Sequence, residues 1–125
     1  MGAREVVVGD GPGHCRDAWL VAEVGGLRPV LRYLRARFVD LNQGPVVARR
    51  NALGMTGLSH LYLSEAVAAA DLVVSIAKLK THHWAGVTLS MKNLFGTLPG
   101  ICYGWPKNLF HQVGIGPSIL TSTRR

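Results

Sequence analysis

The chain has 125 residues, enough for one small domain and too few for two. With 48% hydrophobic residues, only 17% charged and 15 glycines, it reads as buried strands joined by tight turns, not as a disordered tail. Lys and Arg number 14 against 7 Asp and Glu, a formal charge of +7, so the partners to weigh are anions: phosphates, carboxylates, nucleic acid or an acidic protein surface.

In chain order, Glu5-Val6-Val7-Val8 predicts a buried strand of the kind found in parallel sheets. It ends in Gly9-Asp10-Gly11-Pro12-Gly13, a loop that no helix crosses. Residues 17–24 read as a helix closed by Gly25-Gly26. A second helical pattern follows, with Leu27, Leu31 and Leu34 on one face and Arg28, Arg32 and Arg35 on another. Phe38-Val39-Asp40-Leu41 is the next strand, residues 45–49 are a further extended piece, and residues 58–63 are ambiguous. Ser64 suits the N-cap of a short helix over 65–70, with Glu65 in its first turn. Leu72-Val73-Val74-Ser75-Ile76-Ala77 is the clearest strand pattern of all. A polar loop over 78–83 follows. Trp84, Val87, Met91 and Leu94 then recur at helical spacing up to Gly96, a C-cap. Pro99-Gly100 closes that segment, and the remainder reads as Gly/Pro-rich loop.

Strands alternating with helices predict the α/β class: a mainly parallel open sheet with flanking helices, in one partial domain over residues 1–125. Three or four strands and an abrupt Ser122-Thr123-Arg124-Arg125 ending do not add up to a closed core, so the sheet is expected to be incomplete and the chain marginal alone.

Cys15 and Cys102 stand far apart without C-x-x-C spacing, which supports neither a zinc nor a cluster site within the chain and needs no disulfide. No signal peptide is visible, and the most apolar run, 66–77, is interrupted by Asp71 and too short for a bilayer span. The expectation is a cytoplasmic protein with no membrane partner and no metal.

Open α/β sheets bind ligands beyond the carboxyl ends of their strands. Three polar sets fall there: Asp10 with its glycine loop, Asp40 with Asn42, and Lys78 through His83. The third is the richest. Lys78 and Lys80 point to one side of an extended chain, Thr81 and His82 follow, and Lys92 leans back toward the same place from the predicted helix. Two lysines, a hydroxyl and an imidazole before a helix N-terminus suit an anion. After Asp71 the chain carries Lys78, Lys80, Lys92, Lys107, Arg124 and Arg125 and no carboxylate at all. Each residue alone also fits a plain solvated surface or a helix cap; the clustering is what argues for a site. Gly11-x-Gly13 lacks the third glycine of a dinucleotide fingerprint, and neither a phosphate-loop nor a G-x-S-x-G pattern is present.

The ordered run Lys78-Leu79-Lys80-Thr81-His82, continuing through Thr88, Lys92, Asn93 and Gly96, resembles the "K-x-K-T-H … T-x-x-x-K-N-x-x-G" core of an uncharacterised prokaryotic family, domain of unknown function three-six-two. Gly9-Asp10-Gly11-Pro12-Gly13, Asp40-Leu41-Asn42 and His111 also resemble it. The resemblance implies an α/β protein, and many members carry a separate ferredoxin-like segment for iron–sulfur clusters. A cluster would therefore come from a separate segment or a partner. It also implies that further elements flank these residues, so that the chain is a truncated central part.

The leading expectation is an anionic small-molecule site, in an enzyme-type, redox-linked domain. Lys78, Lys80, Thr81, Lys92, Asn93 and Asp10 are the candidate ligand-binding residues, and His82 and His111 the candidate proton carriers. Whether the chain is an enzyme stays open. The alternatives are an accessory partner that docks an acidic redox protein, and a truncated product without function. Nucleic-acid binding lacks a recognition motif, and Trp84, Tyr103 and Trp105 do not interleave with a basic stripe.

Overall fold

The computed structural model describes residues 2–82, 85–105 and 107–123. His83 and Trp84, where the predicted loop ends and the predicted helix begins, lie outside them.

Val7–Asp10 form β1 and Arg37–Asp40 form β2, paired in parallel with Val7 opposite Arg37 and Asp10 opposite Asp40. Two helices make the crossover: α1 (Ala18–Val24) and α2 (Leu27–Leu34). Asp17 caps α1 as its type predicts, accepting the Leu20 N–H at 2.7 Å. Gly26 joins the helices at φ 72°, a left-handed turn that glycine enters without a Cβ penalty. Helical spacing places Ala18, Ala22 and Leu31 against Phe38 of β2, with Val8 and Leu27 at the margin. This is the first core.

β3 (Val46–Arg50) and β4 (His60–Ser64) form an antiparallel hairpin, followed by the single turn of α3 (Glu65–Ala68). Ser64 stands at the N-cap position, but its side chain makes no capping bond. The predicted polar loop and helix start are instead a third ladder, β5 (Lys80–His82) with β6 (Gly86–Thr88). Gly86 takes φ 69° at the turn, and the β-branched Val87 and Thr88 favour extension. The helix therefore begins at Ser90: α4 (Ser90–Leu94), continued by a 3-10 turn over Phe95–Thr97. The region expected to be loop contains α5 (Gly100–Tyr103), α6 (Asn108–Gln112) and α7 (Ile115–Thr123). Pro117 is tolerated because it lies in the first turn of α7, where no N–H is needed. Ser118 and Thr121 turn their hydroxyls back onto the Gly114 and Pro117 carbonyls at 2.7 and 2.8 Å, which lets polar residues sit buried in a helix.

The class is mixed α/β, but the strands form three two-stranded ladders, one of them parallel, rather than the single mainly parallel sheet expected. The largest departure is residues 71–79. The clearest strand pattern of the sequence joins no ladder, and Leu72, Val74 and Ile76 face outward.

The second core is Leu61, Phe95, Leu98, Tyr103 and Phe110. Burial pushes the Tyr103 phenol up to about 12, so it stays protonated while its oxygen accepts the Tyr62 N–H at 2.6 Å. One residue joins this core to the first. Asn42 is fully buried, just past β2. Its amide NH2 donates to the Pro12 carbonyl at 2.9 Å, and its amide oxygen accepts the Gly100 N–H at 3.0 Å. Its backbone N–H donates to Asp40 Oδ1 at 2.7 Å, and its carbonyl accepts the Ile101 N–H at 3.1 Å. Beside it the two backbones nearly touch: a Cβ on Gly11 would lie 2.4 Å from the Gly96 carbonyl oxygen. Asn42→Ala strands the Pro12 carbonyl and Gly100 N–H in the interior, and should cost about 2–4 kcal/mol in urea unfolding. Gly11→Ala should also destabilise, because backbone cannot yield as a flexible side chain does. A loss below about 1 kcal/mol for both would remove Asn42 from this bridging role.

Candidate functional site

The bridge between the cores brings together lysines that are far apart in sequence. Lys107 precedes α6 in a left-handed backbone conformation, φ 67°, which is costly for a residue with a Cβ. That turn sends its side chain inward. The ammonium donates to the Phe95 carbonyl at 3.1 Å and the Gly96 carbonyl at 3.3 Å. Lys92 reaches the same ring from α4. Its Nζ lies 5.3 Å from the centroid of Phe95, and that of Lys107 lies at 5.4 Å. Both are within the range where a ring face attracts a cation. On the same ring, His111 of α6 packs at 6.0 Å between centroids.

The electrostatics carry the fingerprint of this crowding. Burial, and then the charge of Lys80, hold Lys92 below its ordinary value. Burial first, and then Lys92, bring Lys107 down to about 8, while Asp10 opposes the shift. Lys80, on β5, is therefore within the field of Lys92, Lys92 within that of Lys107, and Lys107 within that of Asp10. Among the described residues, no carboxylate forms an ion pair with any of the three lysines.

The predicted residues divide accordingly. Asp10, Lys80 and Lys92 are linked through Lys107 in a series of neighbouring charges, Lys80 acting on Lys92, Lys92 and Asp10 on Lys107. Asn93, on the next position of α4, points elsewhere: its amide donates to Ser75 Oγ at 3.0 Å and to the Ile76 carbonyl at 3.5 Å, tying residues 71–79 to the helix. Thr81 is exposed on β5 opposite Val87, so it caps no helix. Lys78 is exposed in the unpaired stretch before β5. His82 is half-buried at the hairpin turn, where its Nδ1 accepts the Ala85 N–H at 3.2 Å; a neutral ring there carries its proton on Nε2. His111 lines an open cavity of about 460 Å³ with Asn108, Gln112 and Ile115. The two imidazoles therefore serve different surroundings. Among the described residues, no three His, Cys, Asp or Glu side chains gather as a metal ion requires.

Two participants were not singled out by the sequence: Phe95, and Lys107 beyond its place among the cations after Asp71. The one signal for Lys107 was its setting, a cation within the apolar Gly/Pro-rich run 99–110 that holds no acid.

Comparisons with known proteins bear on the whole chain. Residues 1–121 match the family model described as Domain of unknown function (DUF362). The thylakoid-associated protein sll1697 of Synechocystis sp. is 36% identical over 100 residues, covering 78% of this chain and 29% of that protein. The chain thus spans less than a third of the length of this relative. No solved structure matches.

The position of Lys107 has a measurable consequence. Below about pH 8 it is charged in both folded and unfolded chains, and its burial opposes folding throughout. Between about 8 and its ordinary value of 10.5, the folded chain has released a proton that the unfolded chain still holds. Stability must rise with pH across that window. Compared with Lys107→Met, the wild type should gain up to about 3 kcal/mol on going from the lower to the upper limit. A pH-independent difference between the two in denaturant unfolding would contradict the burial of a charged Lys107.

Proposed function

The chain belongs to the DUF362 family, and on that premise we propose that it binds an anionic small molecule at Lys80, Lys92 and Lys107, with Asp10 at the margin. The observation that carries this reading is the mutual field of the three lysines, uncompensated by any ion-paired carboxylate among the described residues. Like charges held close in a partly dehydrated place disfavour one another, and an anion between them removes that penalty while gaining charge-assisted hydrogen bonds. The donors are available. A protonated amine carries three N–H groups, and Lys107 spends two on carbonyls. Lys92 remains half-buried beside Lys80, which is exposed.

In this proposal the anion lies on the Phe95 side of α4, the lysines hold it, and Asp10 orients any hydroxyl or protonated group it bears. His111, packed on the same ring, is the nearer candidate to carry a proton. His82 would act through Nε2, since its Nδ1 is engaged. Asn93 is a positioning residue here, through Ser75, and not a ligand. Lys78 and Thr81 belong to the approach to the site rather than to its floor. A redox role would need a cluster from another segment or protein: Cys15 and Cys102 are both exposed, and the described residues offer no set of cluster ligands.

A second reading rests on Lys78 and Lys80, whose exposure suits docking to an acidic redox protein. Such docking weakens steeply with salt and leaves the half-buried Lys92 without effect. The small-molecule reading predicts the reverse dependence on Lys92.

Thermal unfolding of the chain with pyrophosphate, phosphorylated metabolites and dicarboxylates tests the proposal. One anion at a hundredfold excess over its Kd should add about 2.7 kcal/mol of stability. Lys92→Ala and Lys80→Ala should each weaken binding roughly tenfold or more, and affinity should fall as pH rises past about 8, where Lys107 loses its charge. An affinity that neither substitution changes would overturn the site.

A further inference from the structure

The crossover helices present a second charged surface, far from the lysines in sequence. Core packing accounts for only one stripe of α1 and α2, since Ala18, Ala22, Leu27 and Leu31 point inward. The rest of the hairpin is not the polar face such helices normally turn to water. Leu20, Val24, Val30, Tyr33 and Leu34 are all exposed, Val24 at 81% and Tyr33 at 87%. Scattered apolar residues on a surface are ordinary, but Trp19 is exposed as well, and six such residues on two short helices form a concentration.

Charge decides what fits there. Asp17 is committed to the α1 cap, and Glu23 is paired with Arg28. Arg32 and Arg35 are exposed and, among the described residues, have no carboxylate partner. Arg32 precedes Tyr33 on α2, and Arg35, its C-cap, follows Leu34, so exposed cations and exposed apolar residues alternate at this end of the hairpin. Nucleic acid would reward the arginines and Tyr33 but gain nothing from Leu20, Val24, Val30 and Leu34. An anionic lipid surface rewards both: aliphatic side chains enter the acyl boundary, a tyrosine sits at the headgroup level, and arginines meet lipid phosphates.

We propose that the α1–α2 hairpin attaches this chain peripherally to an anionic membrane surface, with Val24, Tyr33 and Leu34 inserted and Arg32 and Arg35 on the headgroups. Attachment of this kind requires no spanning segment, and no described helix is long and apolar enough to cross a membrane.

Co-sedimentation with phosphatidylcholine vesicles, with and without phosphatidylglycerol, is the test. The chain should pellet with the anionic vesicles and much less with the neutral ones, and added salt should release it in part. Arg32→Gln with Arg35→Asn should weaken binding by roughly fivefold per arginine; asparagine suits the left-handed backbone of Arg35, φ 51°. Val24→Ser with Tyr33→Ser should abolish it, and both side chains are exposed enough to be changed without touching the core. Circular dichroism and unfolding of each variant confirm that the fold is kept. The proposal is overturned if the wild type stays in the supernatant with anionic vesicles. It is equally overturned if neither folded variant binds more weakly, or if the hairpin substitutions only convert a dimer to a monomer or only abolish retention of RNA.

Discussion

Asn42 is the constraint on which the remaining structure depends. An amide in a dehydrated interior is costly unless its donors and its acceptor oxygen find partners, and here the partners come from three separate parts of the chain: the loop after β1, the end of β2 and the start of α5. The four hydrogen bonds of Asn42 set how the β1–β2 unit meets the helices after residue 90, and Gly11 allows the backbones to close to a distance that any Cβ would forbid. Asp10 owes its place to that closure. It ends β1, one residue before the glycine, and so its carboxylate comes within the field of Lys107 although the two lie far apart in sequence.

The lysine cluster follows from the same geometry, with a cost. The 3-10 turn after α4 closes on the Phe95 carbonyl through the Leu98 N–H at 3.3 Å, and the Lys107 ammonium adds a donor to that carbonyl and to the Gly96 carbonyl. A lysine satisfies the two carbonyls, but its charge is then buried beside Lys92, which is itself beside Lys80. Desolvation dominates both shifts, and like-charge repulsion adds to it. The Phe95 ring, which both amines approach, offsets part of this through its quadrupole. Unfavourable positive charge held beside one aromatic ring is thus a structural cost of this packing.

Sequence pattern was most informative where local chemistry decides structure. The α1–α2 pair, Gly25-Gly26 between them and the first parallel strands were legible because each follows from residues acting on their own neighbours. Lys80 and Lys92 stood out in the sequence as cations in an acid-free stretch, and Asp10 as the acid of a glycine loop at a strand end. The role of Lys107 was not legible, since it depends on carbonyls eleven and twelve residues earlier and on a left-handed turn that no residue type there announces. The helices after residue 100 were hidden for a related reason. Glycine and proline mark loops statistically, yet Pro117 falls in a first turn and Gly114 precedes it at φ 103°, both positions where they favour a helix start. The hairpin of β5 and β6 was hidden by coincidence: Val87, Met91 and Leu94 keep helical spacing while Gly86 and two β-branched residues impose a turn and extension.

Residues 71–79 show why a correct local pattern can still give a wrong element. The alternation is real: Leu72, Val74 and Ile76 face outward, while Val73, Ser75 and Ala77 are half-buried. What is missing is a neighbour. A strand is a property of two chains, because its N–H and C=O groups point sideways and are satisfied only by another strand. A helix closes its own backbone bonds and needs a neighbour only for its apolar face. Among the described residues, side chains supply part of the lateral satisfaction here, with Asn93 reaching the Ile76 carbonyl and Ser75 Oγ reaching the Ser90 carbonyl at 3.3 Å. These two contacts hold the stretch against α4 and so fix where Lys78 and Lys80 emerge. The extended run thus positions the cationic site through side-chain anchors rather than through a sheet, and the Lys-x-Lys spacing takes its direction from Ser75 and Asn93.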